Sequence, residues 1–236
     1  MVISQKTMKH EFLRKDDNRK LLLFFSGWGS APCLFREYGI AEGHDCLMCY
    51  DYDDMLFDRA LLEGYGQVDV VAWSFGVYAA DTVCRDTDAV WGSAVAFGGT
   101  TVPVDDSLGI PVAVFEGTLE NMSEQVLHKF RRRMCGRGLE HFMSHVPERQ
   151  LDGLKAELAA LGAASLGAAA RTAGSSRQAS GFHWTKAVAG RGDLIFPFAN
   201  QCRAWEAAGV ELVQEDAAHY DIRTFERLLG GDFFEG

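Results

Sequence analysis

Apolar and polar positions along this chain alternate between two rhythms. Residues 21–25 form an unbroken apolar run after a charged stretch, the mark of a strand buried on both faces. The run breaks at Ser26-Gly27-Trp28-Gly29-Ser30, a glycine-punctuated turn. Residues 45–50 repeat the pattern and end in an acidic loop with Asp51, Asp53 and Asp54. A third run, residues 69–73, is rich in β-branched side chains; it stops at Ser74 and continues in small residues and helix formers to about Arg85. Residues 93–97, closed by Gly98-Gly99-Thr100, and 112–115, after the turn at Gly109 and Pro111, read as further strands. Strands separated by helical spacers predict βα units on a largely parallel sheet.

The rhythm then changes. From 121 to 161 the period is helical: Met122, Val126, Leu127, Phe130 and Met134 recur on one face, as do Leu151, Leu154, Leu158 and Leu161. Residues 156–180 are dominated by Ala, Gly and Ser, which fits a small-residue helix, a linker, or one after the other. Strand-like sequence returns at 184–189 and 210–213, and a last helix is expected over 222–229. A helical block inside an α/β pattern predicts a cap, 118–181, inserted into a core made of 1–117 and 182–236. Such a cap would cover the carboxyl ends of the strands, where open parallel sheets bind ligands.

Composition narrows the class. The 47% hydrophobic and 24% charged fractions are those of an ordinary globular protein. No apolar run approaches the roughly 18 residues that span a bilayer. The N-terminal stretch is charged and lacks the apolar core of a signal peptide, and Met8 is an alternative start that would make the residues before it a dispensable leader. The net charge of −10 argues against a nucleic-acid binder. Six scattered cysteines read as reduced thiols of a cytoplasmic protein, and Cys46-Leu47-Met48-Cys49 is one isolated C-x-x-C pair with no second pair beside it. No histidine and acid set has metal-ligand spacing along the chain, so neither a metal nor a cofactor is expected.

The chemistry centres on Ala72-Trp73-Ser74-Phe75-Gly76. Small-x-Ser-x-Gly between a strand and a helix is the nucleophile elbow of α/β-hydrolases, with alanine in the place of the first glycine. The plainer alternative is a serine that only caps the helix. A serine hydroxyl needs a base, a carboxylate to orient that base, and donors for the oxyanion. In this fold the order is Ser, acid, His. Of seven histidines, His10 and His44 precede Ser74; His128, His141 and His145 fall in the cap; His183 precedes a strand. His219 alone lies in a polar loop after the last strand. Asp193, in the turn after the strand at 184–189, is the matching acid, with Asp105, Asp106 and Glu116 as lesser rivals. The oxyanion donors would be the main-chain N–H groups of Phe75 and Trp28.

These segments resemble a known family. Phe24-Phe25-Ser26-Gly27-Trp28-Gly29, Ala72-Trp73-Ser74-Phe75-Gly76-Val77, Gly190-x-x-Asp193-x-Ile195-x-Pro197 and Ala218-His219-Tyr220 are similar to the BioG-type pimeloyl-[acyl-carrier protein] methyl ester esterases of biotin synthesis. Gly109-Ile110-Pro111, Phe115-Glu116-Gly117-Thr118 and Phe130-x-x-Arg133-Met134 add to the likeness. The resemblance implies an α/β-hydrolase fold and cleavage of the methyl ester on pimeloyl-carrier protein. The residues themselves agree with an acidic carrier as partner. Lys129, Arg131, Arg132, Arg133 and Arg137 cluster in the expected cap without an acidic residue among them, in a protein of charge −10. The alternative for this run is an ordinary solvated helix face. Phe130 and Phe142, with Trp28 and Phe75, are candidates to line an acyl channel. Two other functions fit parts of the pattern: a general short-chain carboxylesterase or thioesterase with the same triad, and a non-catalytic binding module on the same fold.

Overall fold

The computed structural model describes residues 8–171 and 181–234. Among the described residues, seven strands form one sheet in the order β1-β3-β2-β4-β5-β6-β7. These are β1 (Lys9–Arg14), β2 (Lys20–Phe25), β3 (His44–Tyr50), β4 (Gln67–Trp73), β5 (Trp91–Phe97), β6 (Lys186–Gly190) and β7 (Glu211–Glu215). Only β1 runs antiparallel, against β3; all other neighbours are parallel. The five apolar residues of β2 are fully buried, as the unbroken run requires of a central parallel strand.

Helix α1 (Phe75–Arg85) packs on β2 and β4, and α6 (Phe198–Ala208) packs on β6 and β7. Helix α7 (Ile222–Gly230) is started by Asp221, whose carboxylate accepts the Thr224 N–H at 2.9 Å, and stopped by Gly231 at φ 87°. Its Phe225 enters the core edge-on to Trp73 and Phe97, at ring separations of 5.2 and 5.6 Å. Among the described residues, four α-helices stand between β5 and β6: α2 (Val112–Glu120), α3 (Glu124–Cys135), α4 (Leu139–Ser144) and α5 (Leu151–Arg171).

The sequence pattern misplaces two elements. The expected strand at 112–115 is the first turn of α2. Pro111 precedes it, Asp106 accepts the Val112 N–H at 2.9 Å, and of the run only Phe115 is buried. Strand β1 was not expected, because its half-buried residues carry charges; it covers the edge of β3 that would otherwise be open. The small-residue stretch continues α5 to Arg171, and the remainder, 172–180, lies outside the described residues, as do residues 1–7 before Met8. Met8 itself is buried in the core cluster, and its N–H donates to Asp54 at 3.2 Å. Cys46 and Cys49 are buried in β3, where burial pushes both thiols above their ordinary range; they behave as small apolar residues.

Candidate active site

Ser74 stands between β4 and α1 at φ 60° and ψ −130°. A non-glycine residue there carries strain of about 1–3 kcal/mol. Its surroundings hold it in place. The Ser74 N–H donates to the Phe97 carbonyl at 3.0 Å, and its own carbonyl accepts from Val77 at 3.1 Å. A side chain at Gly76 would run into the carbonyl oxygens of Phe25 and Ser26, so the helix returns against the strand as closely as an elbow demands. Ala72 is completely buried and fits the same tight space.

His219 lies in the loop between β7 and α7. Its Nε2 is 2.9 Å from Ser74 Oγ and its Nδ1 is 2.8 Å from Asp193 Oδ2. All three side chains are buried. The structure thus unites the residues expected from chain order. The rival acids are engaged elsewhere: Asp105 accepts the N–H groups of Ser107 and Leu108, Asp106 caps α2, and Glu116 is exposed on α2.

Several residues that sequence reasoning missed fix this geometry. Asp193 Oδ1 accepts the N–H groups of Ile195 and Phe196 at 2.8 and 2.9 Å, which aims Oδ2 at the imidazole. Gln201, on α6, donates to Asp193 Oδ2 at 3.0 Å and to the Phe196 carbonyl at 2.8 Å. Trp73 donates its indole N–H to the His219 carbonyl at 2.8 Å, and the Phe196 ring lies parallel to the imidazole at 5.8 Å. A glutamine on a helix gives no pattern that marks it in advance. Trp73, next to the serine, was visible, but its partner 146 positions on was not.

The serine opens into a cleft of about 560 Å³ walled by Trp28, Phe75, Phe115, Phe130 and Leu158. Phe75 is the first residue of α1, so its N–H has no partner within the helix. Trp28 sits in the turn after β2, buried, with its indole donating to the Leu154 carbonyl of α5 at 2.8 Å. The next residue, Gly29, donates its N–H to Glu157 of the same helix at 3.3 Å. Glu157 also accepts from the Tyr52 N–H at 3.0 Å and from Arg149 at 2.6 Å, and Arg149 reaches on to Asp51. Burial pushes the Glu157 carboxyl up to about 7 despite Arg149 beside it. Helix α5 therefore grips the turn that carries one expected oxyanion donor.

The remaining candidates divide. Phe130 walls the cleft, edge-on to Trp28 at 5.2 Å. Phe142 does not line it: α4 lays this ring against Tyr220 at 5.3 Å, beside a smaller adjoining cavity. Lys129, Arg132 and Arg137 are exposed. Arg131 is half-buried over the Phe142 ring, where burial lowers its pKa, so it is not part of an outward face. Arg133 bends to the cleft rim and donates to the Leu194 carbonyl at 2.7 Å.

A family model described as pimeloyl-ACP methyl esterase BioG matches residues 8–228. The chain belongs to the BioG family. The crystal structure of BioG from Haemophilus influenzae superposes with a TM-score of 0.80 at 35% identity, over 94% of this chain and 100% of that one. A Bacteroides fragilis protein named malonyl-[acyl-carrier protein] O-methyltransferase is 42% identical over 213 residues, 89% of this chain. The chain spans only 41% of that relative's length. A lipase-esterase related protein from Clostridium acetobutylicum shares the fold alone, at a TM-score of 0.61 and 11% identity over 96% of each chain. BioG membership and these neighbours make this an α/β-hydrolase fold. Among the described residues no helix is long and apolar enough to cross a membrane.

Proposed function

We propose that this chain is a serine esterase that hydrolyses pimeloyl-[acyl-carrier protein] methyl ester to pimeloyl-carrier protein and methanol, a step of biotin synthesis. The observation that carries the reading is the Ser74–His219–Asp193 relay on the floor of an apolar cleft. His219 Nε2 takes the Ser74 proton as Oγ attacks the ester carbonyl. The Trp28 and Phe75 N–H groups receive the oxyanion, and Asp193 steadies the imidazolium. The imidazolium returns its proton to the methoxide oxygen as methanol leaves. Water, deprotonated by His219, then cleaves the acyl-serine ester and restores Ser74.

The family description and the name of the Bacteroides fragilis relative meet on one chemical theme, an O-methyl group handled on a carrier-bound acyl chain. More than half of that relative lies outside the match, so its methyltransferase name is compatible with an esterase reading of the shared part. An acidic carrier protein is drawn to Lys129, Arg132 and Arg137, and the acyl chain threads past Arg133 toward Ser74.

The test measures methyl release from the carrier-bound ester by mass spectrometry, beside hydrolysis of a small chromogenic ester. Lys129→Glu with Arg132→Glu is expected to lower kcat/KM on the carrier substrate about tenfold, a loss of roughly 1.4 kcal/mol, and to leave the small ester unchanged. Equal loss on both substrates defeats carrier docking. A wild-type preference for small esters or thioesters favours the general hydrolase. Failure of a fluorophosphonate to label Ser74 favours a binding module.

A further inference from the structure

Away from the cleft, one cluster of side chains has no part in the proposed reaction. Glu37, His141 and His145 each bring a ligand atom to within 4.8 Å of the others. The two histidines stand four residues apart, one inside α4 and one at its C-cap, so they share a face; their rings are 4.6 Å apart. Glu37 comes from the opposite side, in the segment after the 3-10 turn Pro32–Leu34, with Oε2 at 3.4 Å from His145 Nε2. No spacing along the chain announces such a set, because the carboxylate lies about a hundred residues before the histidines.

Each imidazole is already held from behind. His145 Nδ1 lies 2.9 Å from the His141 carbonyl, an acceptor that requires Nδ1–H. His141 Nδ1 lies 3.1 Å from the Tyr220 hydroxyl, which is 3.1 Å from the Tyr38 hydroxyl. When Tyr220 gives its hydroxyl proton to Tyr38 and accepts Nδ1–H from His141, both rings have the Nε2 lone pair to offer. Oriented backing of this kind is the usual outer shell of metal-binding histidines. A simple ion pair uses one of these rings, not two. Two imidazolium ions this close repel, whereas two neutral rings and a carboxylate converge well on a cation.

We propose that Glu37, His141 and His145 form a binding site for a divalent transition-metal ion of the zinc type. Two imidazole nitrogens and one carboxylate oxygen suit a four-coordinate borderline ion, with water in the fourth position; calcium and magnesium prefer all-oxygen sets. The ion ties α4, which belongs to the helices inserted between β5 and β6, to the segment that follows β2. It stands next to Tyr220, the chain neighbour of His219, and so braces the loop on which the imidazole is mounted.

The test uses the full chain without a polyhistidine tag, stripped with a chelator and titrated with zinc by calorimetry and by thermal melting. Binding of one zinc per chain with Kd in the micromolar range or tighter, about −8 kcal/mol or better, is expected, with Tm rising by several degrees at saturation. Cobalt in place of zinc is expected to give the visible absorption of a four-coordinate ion. His145→Gln and Glu37→Gln are each expected to weaken zinc at least tenfold and to abolish the melting shift. Both keep polar side chains on the surface, so their melting temperatures without metal show that the fold survives. Unchanged zinc affinity in both variants overturns the site. So does loss of binding in Cys33→Ser with His145→Gln unaffected, because Cys33 donates to the His145 carbonyl at 3.3 Å and would then be the true ligand.

Discussion

Two buried histidine–aspartate pairs sit at opposite ends of the same sheet, and their distances are identical. His219 meets Asp193 at 2.8 Å beyond the carboxyl ends of the strands; His44 meets Asp69 at 2.8 Å near the amino ends of β3 and β4. What separates them is the second nitrogen. The free nitrogen of His219 faces a hydroxyl, which can donate, so the ring is placed to take a proton. In His44 the second nitrogen faces the Glu42 carbonyl at 3.0 Å, so this ring stands between two acceptors with no hydroxyl to act on. Burial opposes ionisation of Asp69, but hydrogen bonds from His44, Gln67 and the Ser93 N–H outweigh it and hold its carboxyl below the ordinary range. In the proposed reaction the first pair is a base with its orienter. The second is a structural clamp. The pair alone decides nothing; the third partner and an adjoining cleft do.

Mutations can break or sharpen that contrast. The largest effect belongs to the first pair. Ser74→Ala should lower kcat by about 10⁴- to 10⁶-fold, and Asp193→Asn by roughly 10³- to 10⁴-fold, with melting temperatures little changed. Residual turnover near wild type in Ser74→Ala, in a preparation free of host esterase, would remove the mechanism. For the second pair the order of effects reverses. His44→Ala takes the histidine partner from buried Asp69 and leaves Gln67 and the Ser93 N–H to hold it, which should cost about 3–5 kcal/mol of stability and about 10 °C in Tm. Turnover at a permissive temperature should change by less than about threefold; a collapse of kcat in the folded variant would mean the two ends are not separable.

A smaller effect comes from Glu157, a buried acid that serves neither pair. Its carboxyl is pushed up to about 7 in the fold by burial, above the value it has in an unfolded chain. Stability from this group is therefore complete below about pH 4.5 and is lost as pH rises through 7, by on the order of 3 kcal/mol. Glu157→Gln should flatten that part of the Tm-against-pH curve. A curve that runs parallel to wild type from pH 5 to 8 would show that Arg149 keeps the acid ionised throughout.

How much of this was legible depends on how local the cause is. The elbow at Ser74, the acid in a turn after a strand and the histidine in the last loop are each set by a few neighbouring residues, and chain order links them. The strand runs of β2, β3 and β4 follow from unbroken apolar composition. Val112-Ala113-Val114-Phe115 failed because four apolar residues have no readable period, and the deciding contact is Asp106 capping from outside the run. Gln201 on Asp193, Trp73 on the His219 carbonyl and Glu157 on Gly29 were invisible for a different reason. Their roles exist only once distant segments meet.

On the proposed mechanism Ser74 owns both the reactive oxygen and a backbone twist that L-residues resist. Glycine would relax that twist and abolish the reaction in one step. Selection for robustness and selection for turnover thus pull against each other at a single codon. Without the need for this chemistry, glycine at position 74 would give a sturdier, silent form of the protein.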